Sequence, residues 1–199
     1  KRGIYAGSVG KLLPVTLAIG QPTHAGAPFD GLNASLIAGE LIRRVEGAAD
    51  IGEAPPVTLQ HLDLKPGYNV TVPHYSWCAF NVLTRSSGLA DVLDRLEVAS
   101  RDALVAAIAA HAERGRAWAE RAEHLESTFS QAGTIWRASE LLARAPVELR
   151  QRVEALAADR NVDVLAAARA AFHALAQGLA LTGPGVVPEI GGAARRDRV

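Results

Sequence analysis

Gly20-Gln-Pro-Thr-His-Ala-Gly-Ala-Pro-Phe-Asp-Gly-Leu-Asn-Ala34 separates two patterned stretches of the chain. Before it, Leu13, Val15, Leu17 and Ile19 fall at every second position, the period of a half-buried strand. After it, Ile37, Leu41 and Val45 recur every four residues beside Ala34 and Ala38, the stripe of a helix that covers a sheet. Asp30 or Asn33 is placed to cap that helix, and Gly47 to end it. Between strand and helix, Gly20, Gly26, Gly31, Pro22 and Pro28 impose an irregular backbone with His24 in its middle. A stiff loop between a strand and a helix is a common place to present a functional side chain. The alternative is a solvated loop carrying an incidental histidine.

Working outward, Val57–Leu64 reads as a second strand, Pro66-Gly67 as a turn, and Tyr68–Thr84 as a third strand interrupted near Pro73. Leu89, Leu93, Leu96, Ala103 and Ala107 mark a second helix, which can run on to about Leu125 despite Gly115. Thr134-Ile135-Trp136 is the candidate fourth strand. The order predicts an α+β fold: a split βαβ (ferredoxin-like) two-layer sandwich, with an antiparallel four-stranded sheet and two helices on one face. Two further helices, Ser139–Ala158 and Val162–Leu181, read as a helical extension, with Pro146 interrupting the first. The expected division is an incoming connection at 1–10, the sandwich at 11–137, the extension at 138–183 and a loose tail or return connection at 184–199.

Nearly half the residues are apolar, enough for a real core, and the formal net charge is zero with both signs interleaved. Neither a nucleic-acid surface nor a polybasic membrane anchor is expected, and the apolar runs are too short to span a bilayer. The single cysteine, Cys78, excludes an internal disulfide and fits a reducing, cytoplasmic compartment. No methionine occurs, which suggests a piece of a longer protein.

The glycines at 10 and 20, Thr23-His24-Ala25-Gly26, Pro28, Gly31 and Asn33-Ala34 resemble the lid (dimerisation) domain of the zinc-dependent aminoacylase and exopeptidase family, peptidase clan MH. Gly10-Lys-Leu-Leu-Pro14 and Asp63-Leu-Lys-x-x-Tyr-Asn-Val70 bring the likeness nearest to the arginine-utilisation subgroup. It spans Tyr5 to Leu96. The resemblance implies a fragment that is inactive alone, is joined to a catalytic domain of the same protein, and serves to dimerise and to close over a partner's active site. It also implies a homodimer and a small amino-acid-derived substrate. Two zinc ions would sit in that catalytic domain and none in this chain. His24 matches the lid histidine that reaches a partner's active site and polarises the scissile carbonyl. Asn69, in Tyr-Asn-Val-Thr-Val-Pro with one residue inserted relative to the family, matches a substrate-binding asparagine; the other reading is an ordinary strand-entry residue. Arg85, about two residues late, stands where the family grips a substrate carboxylate; the other reading is a surface arginine.

His61-Leu62-Asp63 puts two possible metal ligands on one strand face. Two ligands do not close a zinc site, and neither a bridging aspartate in a Gly-rich loop nor an adjacent glutamate pair follows. His74, Tyr75 and Trp77 read as strand packing, and His111, His124 and His173 as structural residues of the helices. From another functional class, a non-enzymatic regulatory module binding a small ligand at a dimer interface fits the same fold.

Overall fold

The computed structural model describes residues 10–48, 51–84, 87–122 and 132–191. Within them the chain runs β1 (Gly10–Ile19), α1 (Ala34–Gly47), β2 (Val57–Asp63), β3 (Tyr75–Thr84), α2 (Leu89–Ala122), β4 (Thr134–Ile135), α3 (Ala138–Arg144), α4 (Val147–Ala157), α5 (Val164–Gly178) and β5 (Gly185–Gly191). The strands form one sheet in the order β2-β3-β1-β5-β4. Three of its pairings are antiparallel, and β4 runs parallel to β5.

The expected four-stranded antiparallel sheet is therefore corrected to a five-stranded mixed one. The place beside β1 belongs to β5, with Ile19 opposite Gly185 and Leu13 opposite Gly191. Thr134–Ile135 lies one strand further out, held by Thr134 N–H to Pro184 O (3.1 Å) and Trp136 N–H to Val186 O (3.0 Å).

Parallel neighbours cannot be joined by a tight turn; they need a crossover of a dozen residues or more. Helices α3, α4 and α5 are that crossover, so they are not an appendage to the sandwich. Helices α1 and α2 already occupy one face of the sheet, and the crossover lies on the other. Both faces are consequently dry. Ala18, Cys78, Phe80, Val82, Val186 and Ile190 point to α1 and α2, where they meet Ile37, Leu41, Val92 and Leu96. Leu17, Ile19, Tyr75 and Val187 point the other way, to Leu141, Ala171, Ala174 and Leu175. Val15, Trp77 and Ala79 pack there on Leu165. The half-buried expectation for β1 fails for this reason: every residue from Val15 to Ile19 is fully buried, as in any strand with helices on both sides.

Local signals act as their chemistry requires. The Asn33 side chain accepts the Ser35 N–H at 2.8 Å and starts α1. Asp163 accepts from Leu165 and Ala166 and starts α5. Pro146, which has no N–H to give, stands between α3 and α4. The third strand begins at Tyr75 rather than Tyr68, because the residues before it pair elsewhere.

Candidate functional site: the His24 turn

Those residues pair with the Gly/Pro-rich loop. Ala25 N–H donates to Val70 O (2.6 Å) and Val72 N–H to Thr23 O (2.9 Å), so His24 faces Thr71 in a short antiparallel bridge. The base of the loop is closed by reciprocal bonds between Gln21 and Leu32, both 2.9 Å, and by Gly20 N–H to His74 O at 2.7 Å. Gly31 is obligatory at this base: a β-carbon there would strike the Gln21 carbonyl oxygen and lie 2.9 Å from Thr23 Cβ. The tip is tied to itself. Ala27 N–H donates to His24 O (2.9 Å), Asp30 N–H to Ala27 O (3.1 Å) and Thr23 Oγ1 to Ala27 O (3.1 Å).

His24 stands exposed on this tip. Its Nδ1 accepts the Gly26 N–H at 2.9 Å. An N–H aimed at one ring nitrogen requires a lone pair there, so the neutral imidazole carries its proton on Nε2. The turn thus presents an exposed ring whose donor atom is chosen by the backbone.

Asn69 lies on the strand fragment that the loop pairs with. Its Oδ1 accepts Thr71 N–H (3.0 Å) and Thr71 Oγ1–H (2.6 Å), which occupies both lone pairs. What remains for a ligand is the amide NH2. Lys65 clamps the same fragment, its Nζ donating to Asn69 O (3.0 Å) and Thr71 O (2.7 Å). Sequence reasoning gives Lys65 no task, although it sits in the Asp63-Leu-Lys motif. The structure thus brings His24 and Asn69 onto neighbouring segments. Arg85 lies outside the described residues. The last described residue before it, Thr84, pairs with Gly10, while Ile19 pairs with Tyr75 at the other end of the same strands. Those ends are nine residues apart along β1, about 30 Å at the usual rise.

His61 and Asp63 are engaged in holding the fold. His61 Nε2 is 3.2 Å from Ser76 Oγ, and Asp63 Oδ1 accepts the Lys65 N–H at 3.1 Å. Among the described residues no three His, Cys, Asp or Glu side chains come together as a metal would need. These residues do not fit a zinc site. Cys78 is buried between the sheet and its helices, and burial pushes its thiol up to about 12. It is no nucleophile. His124 lies outside the described residues.

His74, Tyr75 and His173 form an aromatic group where β3 meets α5. His74 stacks on Tyr75 at 4.0 Å between ring centroids, and His173 meets Tyr75 edge-on at 5.1 Å. Burial holds His74 below the usual histidine range, helped by the neighbouring His173 and opposed by a bond to the Leu181 backbone. Burial does the same to His173, and to His111 together with Arg114. In each case the unfolded chain binds a proton that the folded chain resists. Stability is then complete above the unfolded histidine value of about 6.5 and falls as pH drops through the lowered folded values. The denaturation midpoint is expected to fall between pH 7 and pH 5. His173→Leu should flatten that fall. Glu189, whose carboxyl is raised by burial, contributes with the opposite sign, so the comparison is variant against parent. Parallel pH curves for the two would refute the assignment.

No family model matches this chain. Over 87 residues it is 44% identical to the uncharacterized protein YqjN of Bacillus subtilis (strain 168), a match covering 40% of this chain and 16% of that protein. Among solved structures it is similar, at a TM-score of 0.34 and 19% identity, to a Burkholderia cenocepacia protein described as a "putative amidohydrolase/peptidase". That match covers 92% of this chain and 40% of the other. The chain therefore spans well under two thirds of either protein's length. No described helix is long and apolar enough to cross a membrane.

Proposed function

We propose that this chain is a lid and dimerisation domain serving a zinc-dependent amidohydrolase or peptidase, and that His24 is its contribution to catalysis. The observation that carries the proposal is the Gly26 N–H held on His24 Nδ1 at 2.9 Å. It leaves an Nε2–H donor on an exposed, internally tied turn. When water adds to an amide carbonyl, the oxygen gains negative charge. A positioned N–H stabilises that oxygen more in the transition state than in the substrate. The metal ions that the sequence resemblance implies would activate the water and belong to the catalytic part of the parent protein. The residues of this chain position, bind and polarise. In this reading the Asn69 NH2 donates to the substrate, a small amino-acid derivative, while the end of β3 that precedes Arg85 lies too far from the His24 turn for both to hold one small molecule. The setting is cytoplasmic, in keeping with the unpaired Cys78. A regulatory module built on the same sandwich would have no use for a solvent-facing histidine with a preset tautomer.

The test is complementation between subunits of the parent enzyme. A His24→Ala subunit keeps its own active site intact but supplies no donor to its partner. A subunit lacking the catalytic glutamate keeps its His24. Mixing the two inactive preparations should restore activity through one complete hybrid site. No recovery on mixing, with dimer exchange verified, would overturn delivery to a partner.

The dimer itself is proposed to form along β2. This is one of the two edge strands of the sheet, and no described strand pairs with its outer side, where Thr58 N–H donates to Glu46 Oε1 at 2.8 Å. Val57, Leu59 and Leu62 on it are 54%, 45% and 42% exposed. Such an edge pairs readily across a twofold axis. The β2–β3 connection also carries the fragment that holds His24, so one contact would bring edge and turn to the partner together. Sedimentation at rising concentration should show monomer giving way to dimer, and Leu59→Lys should weaken that association about tenfold or more. A monomer at every concentration would exclude this edge.

A further inference from the structure

Helix α2 is 34 residues long, whereas α1 on the same face has 14. At the usual rises α2 spans about 50 Å and the ten-residue strands beneath it about 34 Å. Among the described residues the excess packs against the arm of the His24 loop that returns to α1. The His111 ring is 7% exposed and lies 5.3 Å from the Phe29 ring, tilted by 44°. The same histidine hydrogen-bonds the Gly31 backbone. One turn further on, a β-carbon on Gly115 would come to 3.3 Å from Phe29 Cδ1 and 3.5 Å from Cγ. The missing side chain leaves the seat for the phenyl ring. Beyond it Arg116, Trp118, Glu120 and Arg121 face solvent.

We infer that the second half of α2 is a strut that sets the aim of His24, with His111 and Gly115 as positioning residues acting through Gly31 and Phe29. The rising arm of the loop is fixed by the Lys65-clamped fragment on one side. The returning arm is fixed by α2 on the other. A turn held on one side only can pivot about its base, and a donor misplaced by about an ångström loses much of its effect. The inference rests on the reading of His24 as a donor, but the mechanical half of it can be measured without any activity.

Amide hydrogen exchange of the 199-residue chain is the first measurement. In His111→Leu and Gly115→Leu, the amides of Ala25, Ala27 and Asp30 should exchange about tenfold faster or more, while the central amides of β1 and β3 keep their protection. His111→Asn, whose amide stands where the ring Nδ1 does and so retains a donor for the Gly31 backbone, should restore much of the protection. If Gly115→Leu unfolds the chain, Gly115→Ala takes its place, since one methyl group asks Phe29 to yield by only tenths of an ångström. Unchanged exchange at the three loop amides overturns the strut. The second measurement is on the parent enzyme. His111→Leu should lower kcat about tenfold with KM unchanged, and should lower it no further when His24 is already alanine. Independent, multiplying losses in the double variant would overturn the positioning role even if the loop loosens. A silent His24→Ala variant would instead defeat the catalytic reading and leave the exchange result to decide the strut alone.

Discussion

His24→Ala in the parent enzyme is expected to lower turnover by about a hundredfold or more, the usual scale for losing one donor to an oxyanion. The side chain stands exposed on the tip of the loop. Its Nδ1 accepts from Gly26 within the same turn, and the turn is closed independently by the bonds of Thr23, Ala25, Ala27 and Asp30. Folding, metal content and dimerisation should therefore stay as they are. The loss should fall on kcat, with little change in KM, because the carbonyl oxygen carries its charge only while the bond is being made. Steady-state kinetics on a well-folded variant decides it. Turnover within a few fold of the parent would return His24 to an ordinary loop residue.

Trp77→Ala is expected to destabilise the chain by about 3–5 kcal/mol, the range for truncating a large buried aromatic. Trp77 is fully buried on the face of the sheet that the crossover helices cover. It meets Phe172 of α5 edge to face, with ring centroids 5.9 Å apart. Alanine leaves a cavity between rigid sheet and helix that neither can collapse to fill. Trp77→Phe keeps a ring there and removes an indole N–H that has no acceptor among the described residues, so its effect should be far smaller. Trp118, 43% exposed, serves as the control, its truncation staying within about 0.5 kcal/mol. Urea unfolding measures all three. A Trp77→Ala loss below about 1 kcal/mol would mean that the second face is not a core in solution, against the packing seen here.

The first half of the chain is legible in sequence because each signal there is local. Leu13 to Ile19 alternates, Ile37, Leu41 and Val45 keep a helical stripe, and Asn33 caps the helix it precedes. The helices of the second half are legible as helices, and Pro146 marks the break between two of them. What periodicity cannot say is which face of the sheet they will cover. That depends on β5, and Gly185-Val-Val-Pro-Glu-Ile-Gly191 hides its strand behind flanking glycines and an internal proline that argues against a sheet position. Missing β5 made Thr134–Ile135 look like the fourth strand and turned a crossover into an extension.

The same contrast holds at the candidate site. The His24 turn is visible because glycine and proline record backbone demands directly. Its supports are not. Lys65, Phe29, His111 and Gly115 come from three separate stretches of chain. A lysine that clamps two carbonyls has the same letter as one that waves in water. Only Gly115, tolerated inside a long helix at a cost of about 1 kcal/mol relative to alanine, left a mark that asked for an explanation.

The pairing of β1 with β5 also sets an order of events during synthesis. Ile19 and its partner Gly185 lie at opposite ends of the described chain. At about 5–20 residues per second, a ribosome needs roughly ten to thirty seconds to deliver the second after the first. Once β3 has been made, β1 has it on one side and an open edge on the other until β5 follows. Helices α1 and α2 can settle on their face of the sheet in that time; the opposite face, with Trp77 and Leu17, stays bare until the crossover and β5 arrive together. An edge left open for that long is open to pairing with other chains until β5 covers it.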